Sequence, residues 1–108
     1  IYLDHSLIRQ ALINLIVNAY QAMPDGGSIT IDACKDGEFI KLIIKDTGQG
    51  IDSEIVEKIF DPFFSTKDRG TGLGLSITNS IISAHGGRIE VKTKVGEGTE
   101  FAIYLPLR

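Results

Sequence analysis

Cysteine, histidine and proline are scarce in this chain: its 108 residues include 1 cysteine, 2 histidines and 3 prolines. The single thiol, Cys34, excludes an intramolecular disulfide. It ends a strand-like segment on the register opposite the apolar residues, and we assign it no chemistry; a lone thiol fits a reducing compartment. No run of 18 apolar residues occurs, so no membrane span is legible. No basic, apolar, small-residue leader opens the chain either. A large excess of one charge is also lacking, and the formal net charge of -3 argues against non-specific nucleic-acid binding. Internal repeats, linkers and low-complexity tracts are not apparent. The first residue is Ile rather than Met, so we expect a piece of a longer protein, with an anchor or sensor in the remainder. What is present is ordinary, with 43% hydrophobic and 23% charged residues, and suffices for one domain with one core over residues 1–108.

Periodicity predicts the order α-β-β-α-loop-α-β-β. In residues 4–23, Ile8, Leu12, Leu15, Ile16, Ala19 and Met23 recur at helical spacing, and Pro24-Asp-Gly-Gly27 ends the helix. Ser28–Cys34 alternates with Ile29, Ile31 and Ala33 inward, Asp36-Gly37 signals a hairpin, and Phe39–Asp46 forms the second strand. Residues 53–59 are expected to form a short helix capped by Asp52 or Ser53, with Glu54 in its first turn. Residues 60–72 are irregular. A third helix is expected from about 72 to 85, stopping at Gly86-Gly87. Arg88–Val95 and Thr99–Leu105 alternate as strands joined by Gly96-Glu-Gly98. Hairpin-joined strands imply an α+β fold, a two-layer α/β sandwich with a mixed, mostly antiparallel sheet and three helices on one face.

Four places carry chemistry. Residues 46–51 read Asp-Thr-Gly-Gln-Gly-Ile. Ile40, Leu42 and Ile44 share one strand face, and the period of two puts Asp46 on it as well. A core-facing carboxylate is costly unless paired. Gly48 and Gly50 follow at once, letting backbone approach a ligand, so this turn suggests a pocket for a hydrogen-bond donor such as an amine. The alternative is a tight turn with a capping carboxylate. On the first helix, Gln10, Asn14, Asn18 and Gln21 fall within an arc of about 80° at 3.6 residues per turn. With apolar flanks packed on both sides, that stripe would face a cavity and offer amide oxygens to a hard cation or donors to phosphate; the alternative is a solvated face. Phe60-Asp-Pro-Phe-Phe-Ser-Thr-Lys67 holds three of the five phenylalanines and resembles the root of a lid, or else a satellite cluster under a loop. Lys67 and Arg69 within that loop could reach a phosphate. Gly70-Thr-Gly-Leu-Gly-Leu75 leads into the last helix, where free N–H groups favour anions, or where it is simply a turn. It lacks the Gly-Lys-Ser/Thr ending of a P-loop. Thr99 shares the inward register of Phe101, Ile103 and Leu105, and could join Asp46 around one ligand.

Together these segments resemble the ATP-binding catalytic domain of sensor histidine kinases, in a superfamily with DNA gyrase, a heat-shock chaperone family and the mismatch-repair MutL proteins. Asn14-Leu-Ile-Val-Asn18-Ala resembles the N box, Asp46-Thr-Gly-Gln-Gly50 the first glycine box, Phe60-Asp-Pro-Phe-Phe64 the F box and Gly70-Thr-Gly-Leu-Gly74 the second glycine box. Gly96-Glu-Gly-Thr-Glu-Phe101, running on to Leu105-Pro106, matches the closing strand. The Asn-x-x-x-Asn-Ala-x-Gln-Ala-Met-Pro form, with Ser-Thr-Lys after the F box, is most similar to the nitrogen-regulator type.

The resemblance implies ATP and Mg²⁺ as cofactors and assigns expected roles. Asn18 would coordinate Mg²⁺ and Asn14 would lie near the phosphates. Asp46 would accept the adenine amino group, supported by Thr99. Gly48, Gly50 and Ile51 would line the base, and Phe60 the root of the lid. Gly70, Thr71, Gly72, Leu73, Gly74 and Leu75 would bring amides to phosphate. A lysine common in this family three residues after the Mg²⁺ asparagine is replaced by Gln21, so Lys67 or Arg69 would supply charge; Asn14, Asn18 and Lys67 form the expected catalytic set. The implied activity is transfer of the γ-phosphate to a histidine on a separate module. The implied partners are ATP and ADP, that phosphoacceptor module and a response regulator receiver domain, with no nucleic acid and no direct membrane contact by this cytoplasmic domain. His5 lacks the acid and proline typical of an acceptor histidine, and His85 ends the last helix, where a cationic ring suits the dipole. A gyrase-type clamp would need a glutamate where Asn14 stands, and an amide is a poor general base. A domain that senses nucleotide without transferring phosphate is the remaining alternative.

Overall fold

The computed structural model describes residues 4–61 and 74–106. Helix α1 spans His5–Gln21, strand β1 Ile29–Asp36, strand β2 Phe39–Asp46, helix α2 Gly74–Ala84, strand β3 Arg88–Lys94 and strand β4 Gly98–Pro106. All strand pairs among the described residues are antiparallel, in the order β1-β2-β4-β3.

Local chemistry sets the helix ends. Asp4 caps α1, its carboxylate accepting from Leu7 N–H at 3.1 Å. Gly86 takes φ +79° after α2. Its N–H and that of Gly87 return to Ser83 O at 3.0 Å and Ile82 O at 2.9 Å, the paired bonds of a Schellman motif. The helix expected over 53–59 is instead a single 3₁₀ turn, Val56–Lys58, so the described layer has two α-helices rather than three. Asp52, not Ser53, holds this turn, through its backbone oxygen to Ile55 and Val56 N–H and its carboxylate to Glu54 N–H. With only about two turns available and β-branched residues at 55 and 56, no α-helix is nucleated here.

The core lies between the helices and one sheet face, where Ala11, Leu15, Ile81 and Ile82 meet Ile44, Phe101, Ile103 and Leu105. Ile31 and Ala33 keep the expected register on that face but are exposed, Ile31 by 58%, because the helices do not extend over the edge strand β1. Only Ile29, at the start of β1, packs against the core. Likewise only one flank of α1 is packed: Ile13, Val17 and Tyr20 are exposed. On the opposite sheet face Tyr104 is buried under the Arg88 guanidinium, 3.9 Å from its ring centroid, with Phe39 at its edge. Among the described residues no helix is long and apolar enough to cross a membrane.

Candidate functional site

The inward register of β2 ends on a charge. Asp46 follows Ile44 on the core face and is 2% exposed. Its Oδ1 accepts two backbone N–H groups, from Gly48 at 2.8 Å and from Thr99 at 3.2 Å. Such bonds to an ionised acceptor offset much of the desolvation of a carboxylate. Oδ2 receives no donor from the described residues. One oxygen therefore belongs to the fold and the other remains available to accept a hydrogen bond.

The turn after Asp46 is clamped from three sides. Gly48 lies against the α1 C-cap, where a Cβ would strike Ala22 O, and Gln49 N–H donates to that carbonyl at 3.3 Å. Thr47 ties the turn to the start of β1: its N–H donates to Ser28 O at 3.2 Å, and its hydroxyl accepts from Ser28 N–H at 3.0 Å. The β3–β4 hairpin closes the third side. Gly96 N–H donates to Gln49 O at 2.9 Å and Ile51 N–H to Thr93 Oγ1 at 2.8 Å. Gly50 takes φ +75° with its Cα hydrogen facing Lys94 O, and Gly98 is pressed against Asp46 O, so a side chain at either position collides with backbone. The clamp sets the last turn of α1, which carries Asn18, beside the Asp46 turn.

The remaining residues of interest distribute around this junction. Asn14 and Asn18 are half-buried, between the packed and the exposed sides of α1, whereas Gln10 and Gln21 are exposed. Phe60 is half-buried, its ring edge-on to Phe101 with centroids 6.4 Å apart, so the root of the following loop is fixed on the core. Gly74 opens α2 and Leu75 packs against the core cluster. Phe63, Phe64, Lys67, Arg69, Gly70, Thr71, Gly72 and Leu73 lie outside the described residues.

Thr99 is buried beside Asp46, on the inward register expected of it. Its backbone N–H, not its hydroxyl, reaches Asp46, while its Oγ1 lies 2.9 Å from Thr93 Oγ1. Thr93 escaped the sequence reading, as did Thr47 and the Ala22 carbonyl. The signal for Thr93 was there: it shares the inward period of Ile89 and Val91 and stands opposite Thr99 in the ladder. His85 ties the two helices together through both ring nitrogens. Its Nε2 accepts from Asp4 N–H at 3.1 Å and its Nδ1 lies 2.7 Å from Ile81 O. These two contacts clasp the end of α2 to the start of α1.

Solved structures share this fold. A nucleotide-free form of the catalytic domain of histidine kinase ThkA superposes with TM-score 0.86 at 40% identity, covering 96% of this chain and 68% of that one. Full-length ShkA, solved in complex with AMPPNP, gives TM-score 0.85 at 33% identity, covering 95% of this chain and 22% of that one. Among curated proteins, sensor histidine kinase ZraS of Escherichia coli (strain K12) is 39% identical over 96% of this chain. Sporulation kinase A of Bacillus subtilis (strain 168) is 42% identical over 95% of it. The chain spans 22% and 17% of the lengths of those two relatives. The profile described as histidine kinase-, DNA gyrase B- and HSP90-like ATPase matches residues 3–108. With that match over nearly its whole length, the chain belongs to the histidine kinase-, DNA gyrase B- and HSP90-like ATPase family.

Proposed function

We propose that this chain is the nucleotide-binding catalytic unit of a sensor histidine kinase, binding Mg·ATP and presenting the γ-phosphate to a histidine on a separate phosphoacceptor module. The observation that carries the reading is Asp46: a buried carboxylate with Oδ1 held by backbone and Oδ2 available as an acceptor. An acceptor so placed suits the exocyclic amine of adenine. Glycines at 48, 50 and 98 each face neighbouring protein backbone rather than open space, so they serve to hold the turn that carries Asp46.

The donor set also fits a nucleotide-shared metal. Among the described residues no group of three His, Cys, Asp or Glu could hold an ion alone. Mg²⁺ is commonly bound through few protein oxygens plus substrate phosphates, and the Asn18 amide oxygen is suited to that part. When bound, Mg²⁺ would neutralise charge developing on the transferred phosphoryl group. Asn14 would orient phosphate oxygens, Lys67 would add positive charge, and the segment 70–75 would supply backbone N–H groups. Thr99 would support Asp46, while Ile51, Phe60 and Gln21 would border the nucleotide. In this reading the unit works within a longer kinase that carries the acceptor histidine and signals to a receiver domain; its similarity to sensor and sporulation kinases supports this.

Titration with ADP, with and without Mg²⁺, followed by incubation of the chain with labelled ATP and an acceptor-histidine module, tests the reading. Mg²⁺-dependent binding that Asp46→Asn weakens, and labelled phosphohistidine, are expected. Tight binding with no labelled acceptor would instead favour a domain that senses nucleotide without transfer. Rapid hydrolysis by the chain alone would favour a gyrase-type clamp, although an amide at Asn14 is ill suited to activate water.

A further inference from the structure

We propose that Met23 is an oxidation-sensitive latch: hydrogen peroxide converts its thioether to the sulfoxide and so loosens the junction between helix α1 and the Asp46 turn. Met23 is the only methionine of the chain. It lies just past the end of α1, and its Sδ accepts the Thr47 hydroxyl at 3.6 Å. The same hydroxyl oxygen accepts from Ser28 N–H at 3.0 Å, and Thr47 N–H donates to Ser28 O at 3.2 Å. Through Thr47, one thioether therefore ties together the exit of α1, the start of β1 and the turn that carries Asp46. Gly27 packs on both partners: a Cβ there would lie 2.5 Å from Met23 Sδ and 2.7 Å from Thr47 Oγ1.

The sulfur is tightly packed but thinly covered. Met23 is 9% exposed, and the connection that packs on it, residues 24–28, is exposed throughout. In the oxidation, a sulfur lone pair attacks one peroxide oxygen. The S–O bond forms as the O–O bond breaks, and the departing hydroxide takes the proton of the transferred oxygen and leaves as water. Sulfur loses two electrons and the peroxide gains them. The product is polar, chiral and larger than the thioether. Between the Thr47 hydroxyl and the Gly27 backbone there is no slack for the added oxygen, and overpacking of this kind shifts neighbouring backbone. Thr47 is displaced from Ser28, and the Asp46 turn loses its fixed spacing from the helix that carries Asn18. Reduction of the sulfoxide restores the latch. The effect on nucleotide affinity rests on the ATP reading proposed above, whereas the latch itself does not.

The test uses the 108-residue chain carrying Cys34→Ser, which removes the other oxidisable sulfur. Hydrogen peroxide should add one oxygen atom, read by mass spectrometry and mapped to Met23. Amide hydrogen exchange at Ser28 and Thr47 should then quicken, and ADP affinity should fall, each by about fivefold, the worth of one hydrogen bond. Both changes should reverse on treatment with the two epimer-specific methionine sulfoxide reductases. Met23→Leu, which keeps the volume without the sulfur, should show the same exchange and affinity before and after peroxide. A sulfur left unoxidised in the folded chain, or an oxidised chain with unchanged exchange at Ser28 and Thr47, would overturn the proposal. So would faster exchange with undiminished ADP affinity. If Met23→Leu does not fold, reductase reversal in the Cys34→Ser chain decides alone. A chain whose exchange responds but which binds no ADP in either form would keep the latch and remove the nucleotide reading.

Discussion

The two oxygens of Asp46 have different work. Oδ1 closes the turn and receives the N–H of β4, while Oδ2 faces no donor among the described residues. Asp46→Asn can keep the Oδ1 bonds but replaces the open acceptor by an amide donor. ADP affinity should fall about tenfold or more, the scale of a hydrogen bond to a charged group. The preference between adenine and hypoxanthine nucleotides should move toward hypoxanthine, whose O6 accepts; parallel titrations of ADP and inosine diphosphate read this directly. The glycine opposite is equally constrained. Gly98 takes φ +116° with Asp46 O in the path of any Cβ. Gly98→Ala should lower stability by about 2–4 kcal/mol, within the range of strained-backbone and steric substitutions, and a urea melt measures it.

Elements are held by contacts that periodicity does not reveal. α1 and α2 run through different parts of the chain, yet His85 joins the end of one to the start of the other through Asp4 N–H. His85→Ala should cost about 1 kcal/mol, and thermal melting of the two proteins would show it. The strands offer a sharper contrast. Ile31 and Ile44 are direct partners in the β1–β2 ladder and share a face, so sequence pattern treats them alike. Ile44 is 2% exposed and Ile31 58%. Ile44→Ala should cost about 2–5 kcal/mol and Ile31→Lys less than about 0.5 kcal/mol. Similar losses in both would mean that the helices cover the edge strand after all. The same limit explains the 3₁₀ turn at Val56–Lys58. Cap residues and an acid in the first turn there suggested a helix, but a segment so short takes its shape from Asp52 and from what it packs against.

At the scale of the molecule, the four-stranded sheet carries Asp46 and helix α1 carries Asn18, and the two meet where the Asp46 turn abuts Ala22. Asn18→Ala changes only a half-buried amide next to that junction. Mg²⁺-dependent nucleotide binding or phosphoryl transfer should fall at least fivefold, with the melting curve unchanged; an unaltered Mg²⁺ dependence would remove the metal role. The order of the four strands and of the two α-helices, the inward register of Asp46 and Thr99, the glycines at the turns and the resemblance that these share were legible in the sequence, because side-chain period and backbone sterics are local properties of the chain. Only the tertiary structure decided which apolar faces are covered, that Thr99 meets Asp46 through its backbone, and that Thr93, Thr47 and the Ala22 carbonyl clamp the turn. Those depend on which strand neighbours which and on where a helix ends in space, and neither is written in any one segment.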